Sequence, residues 1–223
     1  MINVAIDGPA GAGKSSISKA VAVKKGYIYV DTGALYRAVA FYALNKGVSP
    51  DNTSGIIKLL SELDIKLEHR DGQQRVIANG IDVSDKIRTP EVSMGASGVS
   101  AIPEVRTFLF DLQKKIALEN NIIMDGRDIG TVVLPNAQLK IFLTADAEER
   151  ARRRFAELKG TEGVTFENIL EDIIKRDEND MNRAVSPLRQ AEDAVLVDTT
   201  DMTIEQVILH IEKLINETEN KER

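Results

Sequence analysis

Eight residues near the N-terminus, Gly8-Pro9-Ala10-Gly11-Ala12-Gly13-Lys14-Ser15, fit the spacing G-x-x-x-x-G-K-[ST]. Backbone N–H groups can converge on one anion only where the chain turns tightly without side-chain obstruction, and the glycines meet that demand. Lys14 adds a cation with the reach to touch β- and γ-phosphates, and Ser15 a hydroxyl suited to Mg2+. Ser16 continues the cradle into the next segment. The chemistry these residues could do is phosphate binding.

Such a motif needs a strand before it and a helix after it. Residues 2–7 (INVAID) are an apolar run ending in Asp7, and KSSISKAVAVKK follows as a helix-compatible segment. The dinucleotide fingerprint G-x-G-x-x-G fits poorly, because Ser16 stands where its third glycine belongs. Two classes then compete. A nucleotide-dependent switch needs N-K-x-D, and the nearest match, Asn45-Lys46-Gly47-Val48, lacks the Asp; no Asp has Gly three positions on. A small-molecule kinase needs a second anion pocket and an arginine-rich cover.

Arginines occur where such a cover would lie. Seven of 14 fall between positions 150 and 189. Arg150 and Arg154 share a face of one helix by their spacing, and Arg176, Asp180 and Arg183 share a face of the next. The polar, glycine-bearing LKGTEGVT between the two suits a mobile lid, here given as 150–189. Arg127 sits between Asp125 and Asp128 in NIIMDGRDIGTVV, where an apolar run breaks into charge and then resumes. No His or Lys stands out as a base. An acceptor that is itself a phosphate monoester, with a second pKa near 6, needs none at neutral pH.

The elements that must position these residues follow from hydrophobic patterning. Continuous β-branched runs at 2–7, 27–31, 122–125, 139–144 and 194–198 predict strands buried on both faces. Helical segments are expected at 14–25, 33–46, 104–119, 147–158, 166–182 and 203–218, the last with Thr203, Glu205 and Gln206 as a cap. Strand–helix alternation predicts an α/β fold around a parallel sheet, with Asp7, Asp31, Asp125 and Thr144 at carboxyl ends where ligands bind. Residues 64–86, with Asp71-Gly72 and Asn79-Gly80 as turn signals, predict a small antiparallel β insert on a helix-containing lobe that also covers 52–62 and 86–100.

With these residues placed, the chain resembles the bacterial-type cytidylate kinases of the nucleoside monophosphate kinase family. The likeness runs nearly end to end, through DGPAGAGKS, DTGALYRAVA at 31–40, IRTPEVS at 87–93, DGRDIGTVV at 125–133, KIFLTADAEERARRR at 140–154 and RDENDMNRAVSPL at 176–188. It implies a single P-loop kinase domain over 1–223, with a five-stranded parallel sheet, a lid, and an enlarged monophosphate-binding lobe at 32–100 carrying the insert. It implies phosphorylation of CMP and dCMP by ATP with Mg2+, in pyrimidine nucleotide metabolism. By matching positions, Thr32, Tyr36, Arg37 and Arg127 would hold the acceptor phosphate, and Ser97, Arg106 and Asp128 the base. Asp125 would join Ser15 at the metal. Arg176 and Arg183 would serve the phosphates and Asp180 the sugar hydroxyls. Cytosine offers an exocyclic amino donor to a carboxylate where uracil presents a carbonyl, so Asp128 suits the former. Kinases of other monophosphates or phosphorylated metabolites remain the alternative within the enzyme class.

Composition narrows the partners. The chain has 223 residues, 43% hydrophobic and 29% charged, with no cysteine. That excludes disulfides and thiolate metal sites and agrees with a reducing cytoplasm. A net charge of −6 disfavours nucleic acid, no secretory signal or membrane-spanning run is seen, and a monomer is expected because no long exposed apolar stripe stands out.

Overall fold

The computed structural model describes residues 1–70, 73–158 and 164–222. β1 (Asn3–Asp7), β2 (Ile28–Asp31), β6 (Ile122–Gly126), β7 (Leu139–Thr144) and β8 (Val195–Asp198) form a five-stranded parallel sheet in the order β2-β6-β1-β7-β8. β1 lies between β6 and β7, with Asp7 opposite Gly126 and Phe142. Every residue of β6 is buried, whereas only Val197 of the edge strand β8 is. Burial on both faces, expected of all five runs, holds for β1, β6 and β7 inside the sheet but not for β8, whose edge position leaves three of its four residues exposed.

The chain divides into two compact units, one comprising Met1 and Tyr29–Asn120, the other Ile2–Ile28 and Asn121–Arg223. In the second unit, α1 (Lys14–Lys25) stops at Gly26, whose left-handed φ of 66° lets its N–H reach Ala22 and Val23 carbonyls. α6 (Ala147–Glu157) and α7 (Phe166–Asn182) pack on each other, burying Ala151, Ile169 and Ile173. α8 (Ile204–Lys221) opens with the expected capping box, Thr203 with Gln206.

In the first unit, α2 (Thr32–Asn45), α3 (Thr53–Leu60), α4 (Pro90–Val99) and α5 (Pro103–Glu119) share one core with a three-stranded antiparallel sheet. That sheet is β3 (Ile65–Arg70), β4 (Gln73–Ala78) and β5 (Ile81–Asp82), the insert read from the sequence. Asn79 and Gly80 both have positive φ, 49° and 79°, as a tight two-residue hairpin turn requires. The other turn signal, Asp71-Gly72, and residues 159–163 of the expected lid segment lie outside the described residues. Among the described residues, no helix is long and apolar enough to cross a membrane.

One element is absent from the sequence reading: a π-helical turn, Ile129–Val133, just after β6. The glycines beside it do not serve by backbone freedom, since neither Gly126 nor Gly130 has a left-handed φ. Gly130 instead gives close approach: a Cβ there would lie 3.2 Å from the Lys140 stem and 3.4 Å from an Asp7 carboxylate oxygen.

Candidate active site

The loop from Gly8 to Gly13 joins β1 to α1 through three positive-φ glycines, Gly8, Gly11 and Gly13 at 151°, 75° and 83°. Gly8 is the tightest. A Cβ there would meet the Leu143 carbonyl oxygen at 1.9 Å. Gly8→Ala is therefore expected to cost about 2–5 kcal/mol of stability, from backbone strain plus overpacking, read as a lower urea midpoint. An unchanged midpoint would contradict this fit. Gly13 occupies the N-cap of α1 and caps it with no side chain, so the first-turn N–H groups are left for an anion.

Lys14 is buried, and its ammonium donates to the Gly8 and Pro9 carbonyls at 2.8 and 2.7 Å. Burial, reinforced by Arg127, holds its pKa well below the usual lysine range, against the pull of Asp125 and Asp7. A phosphate placed here would restore the charge balance. Ser15, exposed at the helix start, donates to Asp125 Oδ2 at 2.8 Å. The two expected metal ligands are thus adjacent hard oxygen donors. They fit Mg2+, which typically takes one or two carboxylates and completes its shell with phosphates and water. Asp7, 4% exposed, accepts from the Ile129 and Gly130 N–H groups, and burial raises its pKa to about 6.

Around this loop the second unit gathers most of the expected arginines, though not all in the expected roles. Arg127 donates through Nε to Asp180 at 2.7 Å, and Arg183 lies 3.6 Å from Asp128. Each of these two cations expected on phosphate is thus beside a carboxylate expected on sugar or base. Arg176 is on α7, close enough to depress the Lys14 pKa further. Arg183 is not on the α7 face that carries Arg176 and Asp180. The helix ends at Asn182, Arg183 takes extended φ and ψ, and the chain folds back so that the Leu188 N–H reaches the Asp180 carbonyl.

Arg150 and Arg154 are four apart yet differ in surroundings. Arg150 is buried and donates to the carbonyls of Ala145 and Ala10 and to Asp177, braced against the phosphate loop's backbone. Arg154 is half exposed and pairs with Glu157 three residues on. Arg153 holds Thr199 by hydroxyl and carbonyl.

In the first unit, Asp31 caps α2 by accepting from Ala34 N–H and holds Arg37 at 2.8 Å. A side chain at Gly33 would sit 3.1 Å from the Arg37 guanidinium, so glycine keeps that room clear. Thr32 is buried at the first turn of the same helix. The Arg106 guanidinium lies 5.6 Å over the Tyr36 ring and donates to the Ser100 carbonyl. Ser97 is half-buried on α4. Gln74 of the insert pairs with both the N–H and the carbonyl of Asp31. Neither Gln74 nor Asp177 was marked by any local signal. Asp7 and Asp31 carried only their positions at strand ends.

A sequence profile described as "Cytidylate kinase" matches residues 4–217. The chain belongs to the cytidylate kinase family. A cytidylate kinase from Caldicellulosiruptor bescii is 54% identical over 214 residues, covering 96% of this chain and 95% of the relative. One from Carboxydothermus hydrogenoformans is 51% identical, covering 96% and 97%. In fold, the chain resembles a gluconokinase from Sinorhizobium meliloti, with a TM-score of 0.50 at 14% identity over 98% and 94% of the two chains. At that identity the likeness speaks for the P-loop kinase architecture only. The cytidylate kinase family and its fold thus agree with the phosphate loop and the arginines gathered beside it.

Proposed function

We infer that this protein transfers the γ-phosphoryl group of ATP to the phosphate of CMP, giving ADP and CDP, and that it accepts dCMP as well. The observation that carries the site assignment is the crossed pairing of Arg127 with Asp180 and Arg183 with Asp128 beside the loop that holds Lys14. Two polyanions must approach tip to tip, and their repulsion is the main obstacle. Bound phosphate would draw Arg127 and Arg183 from their carboxylates. Asp180 and Asp128 would then be released to a sugar hydroxyl and to the cytosine amino group.

Lys14 would exchange its carbonyl partners for the β- and γ-phosphates, and act where charge develops on the transferred group. Ser15 and Asp125 would hold Mg2+, which neutralises phosphate charge when bound. Thr32, Tyr36 and Arg37 are assigned to the acceptor phosphate, and Ser97 and Arg106 to the base together with Asp128. Arg176 is read as a further phosphate ligand. Arg150 is read as a brace for the loop, and Arg154 is given no catalytic part. No side chain need act as base, because the acceptor phosphate is already a nucleophile at neutral pH.

The protein is also read as a cytoplasmic monomer with no nucleic-acid or membrane partner: the net charge of −6 speaks against nucleic acid, the lack of cysteine agrees with a reducing compartment, and no long exposed apolar stripe stands out in the sequence. The test is a panel of CMP, dCMP, UMP, AMP, GMP and dTMP with ATP as donor. CMP and dCMP are expected to have the highest kcat/KM. A preference for another monophosphate, or hydrolysis of ATP without CDP formation, would contradict the reading.

A further inference from the structure

Asp128 stands at the N-cap of the π-helical turn, where an aspartate ordinarily turns its carboxylate back onto the first free N–H groups. It makes no such bond. Those donors are taken instead by Asp7, whose Oδ1 accepts from Ile129 and Oδ2 from Gly130, each at 2.8 Å. Both oxygens of one buried carboxylate, from a strand 122 residues away in sequence, thus cap a turn that the adjacent aspartate could have capped itself. The Asp128 carbonyl accepts from Val132 and Val133, so its backbone is fixed while its carboxylate faces Arg183. A Cβ at Gly130 would press on the Lys140 stem at 3.2 Å and touch the Asp7 carboxylate at 3.4 Å, so the turn sits close against both.

We propose that Asp7 is a positioning residue for acceptor selection: it caps the turn in place of Asp128 and so keeps the Asp128 carboxylate available to the base. The inference rests on the base-reading role given to Asp128. Asp7→Asn preserves shape but offers one acceptor oxygen and turns an amide N–H2 toward the second backbone N–H. The turn must then shift, or Asp128 must swing back to cap it. Losing the Asp7 charge near Lys14 affects every acceptor alike and cancels in a ratio of two acceptors.

The measurement is the CMP-to-UMP ratio of kcat/KM in the parent protein, Asp7→Asn, Gly130→Ala, Asp128→Asn and the double variant Asp7→Asn/Asp128→Asn. Gly130→Ala presses a methyl group onto the Lys140 stem and the Asp7 carboxylate beside the same turn without changing charge, and carries the test if Asp7→Asn does not fold. Asp7→Asn and Gly130→Ala are each expected to lower the ratio by roughly tenfold or more, as misplacement of a reading group does. The double variant should discriminate no worse than Asp128→Asn alone, because both act through one carboxylate. If Asp128→Asn lowers the ratio while Asp7→Asn and Gly130→Ala leave it unchanged, Asp7 is only structural and the proposal fails. If Asp128→Asn itself leaves the ratio unchanged, the base-reading role fails and takes this proposal with it.

Discussion

Lys14→Ala is expected to lower kcat by roughly a thousandfold at saturating ATP and CMP. The ligand-free protein should meanwhile melt at an equal or higher temperature. The buried ammonium is a burden in the absence of phosphate, since burial and Arg127 both oppose its charge and, among the described residues, its acceptors are two loop carbonyls. Removing it relieves that desolvation, whereas in the transition state the same cation faces charge on the moving phosphoryl group. Activity and stability should therefore move independently. Near-normal kcat would remove Lys14 from the chemistry. A large fall in melting temperature would mean that its loop contacts stabilise the fold more than its burial costs.

The second large effect concerns Arg127. Arg127→Ala should lower kcat/KM for CMP by about 100- to 1,000-fold, from loss of a cation that the transition state uses. It should also destabilise the ligand-free protein by about 3 kcal/mol, because Asp180, with a side chain only 7% exposed, is left with its charge uncompensated. Arg127→Ala combined with Asp180→Ala separates the two effects. Urea unfolding should show stability largely recovered, because no orphan carboxylate remains, while kcat/KM stays low. Recovery of activity in the double variant would mean that Arg127 serves only to neutralise Asp180. Arg127→Lys keeps the charge but loses the planar fork that binds Asp180 through Nε, so it should fall between.

Much of the architecture was legible because it is written locally. The apolar runs gave all five sheet strands, and the 3.6-residue period gave α7 its bounds, Phe166–Asn182, without shift. The phosphate loop was legible for the same reason: its glycines, lysine and serine are contiguous, and only neighbouring backbone decides their use. What spacing cannot give is the partner at the far end of a long side chain. Arg150 and Arg154 have the same spacing-based claim to a face, yet the former ends on the Ala10 carbonyl, 140 residues away, and the latter on Glu157. The pairing of Arg127 with Asp180 likewise joins positions 53 apart that no local pattern links. The π turn escaped because the carboxylate that caps it, Asp7, lies on another strand.

The same distinction explains why carboxylates, more than arginines, were under-read. An arginine on a helix after a phosphate loop announces its charge, but an aspartate's role depends on which donors surround it. Asp7 caps a turn, Asp31 caps a helix and holds Arg37, and Asp177 anchors Arg150. The three are chemically one residue type. Their assignments come only from the fold.

The most direct measurement of the central idea, that fixed cations are handed from internal carboxylates to substrate phosphate, is a crystal structure of the protein with CMP bound. Arg127 should then lie at hydrogen-bond distance from a phosphate oxygen of CMP, with its bond to Asp180 broken or shared and Asp128 facing the cytosine amino group. Finding Arg127 still held only by Asp180 and Arg183 only beside Asp128, with the CMP phosphate bound elsewhere, would contradict it.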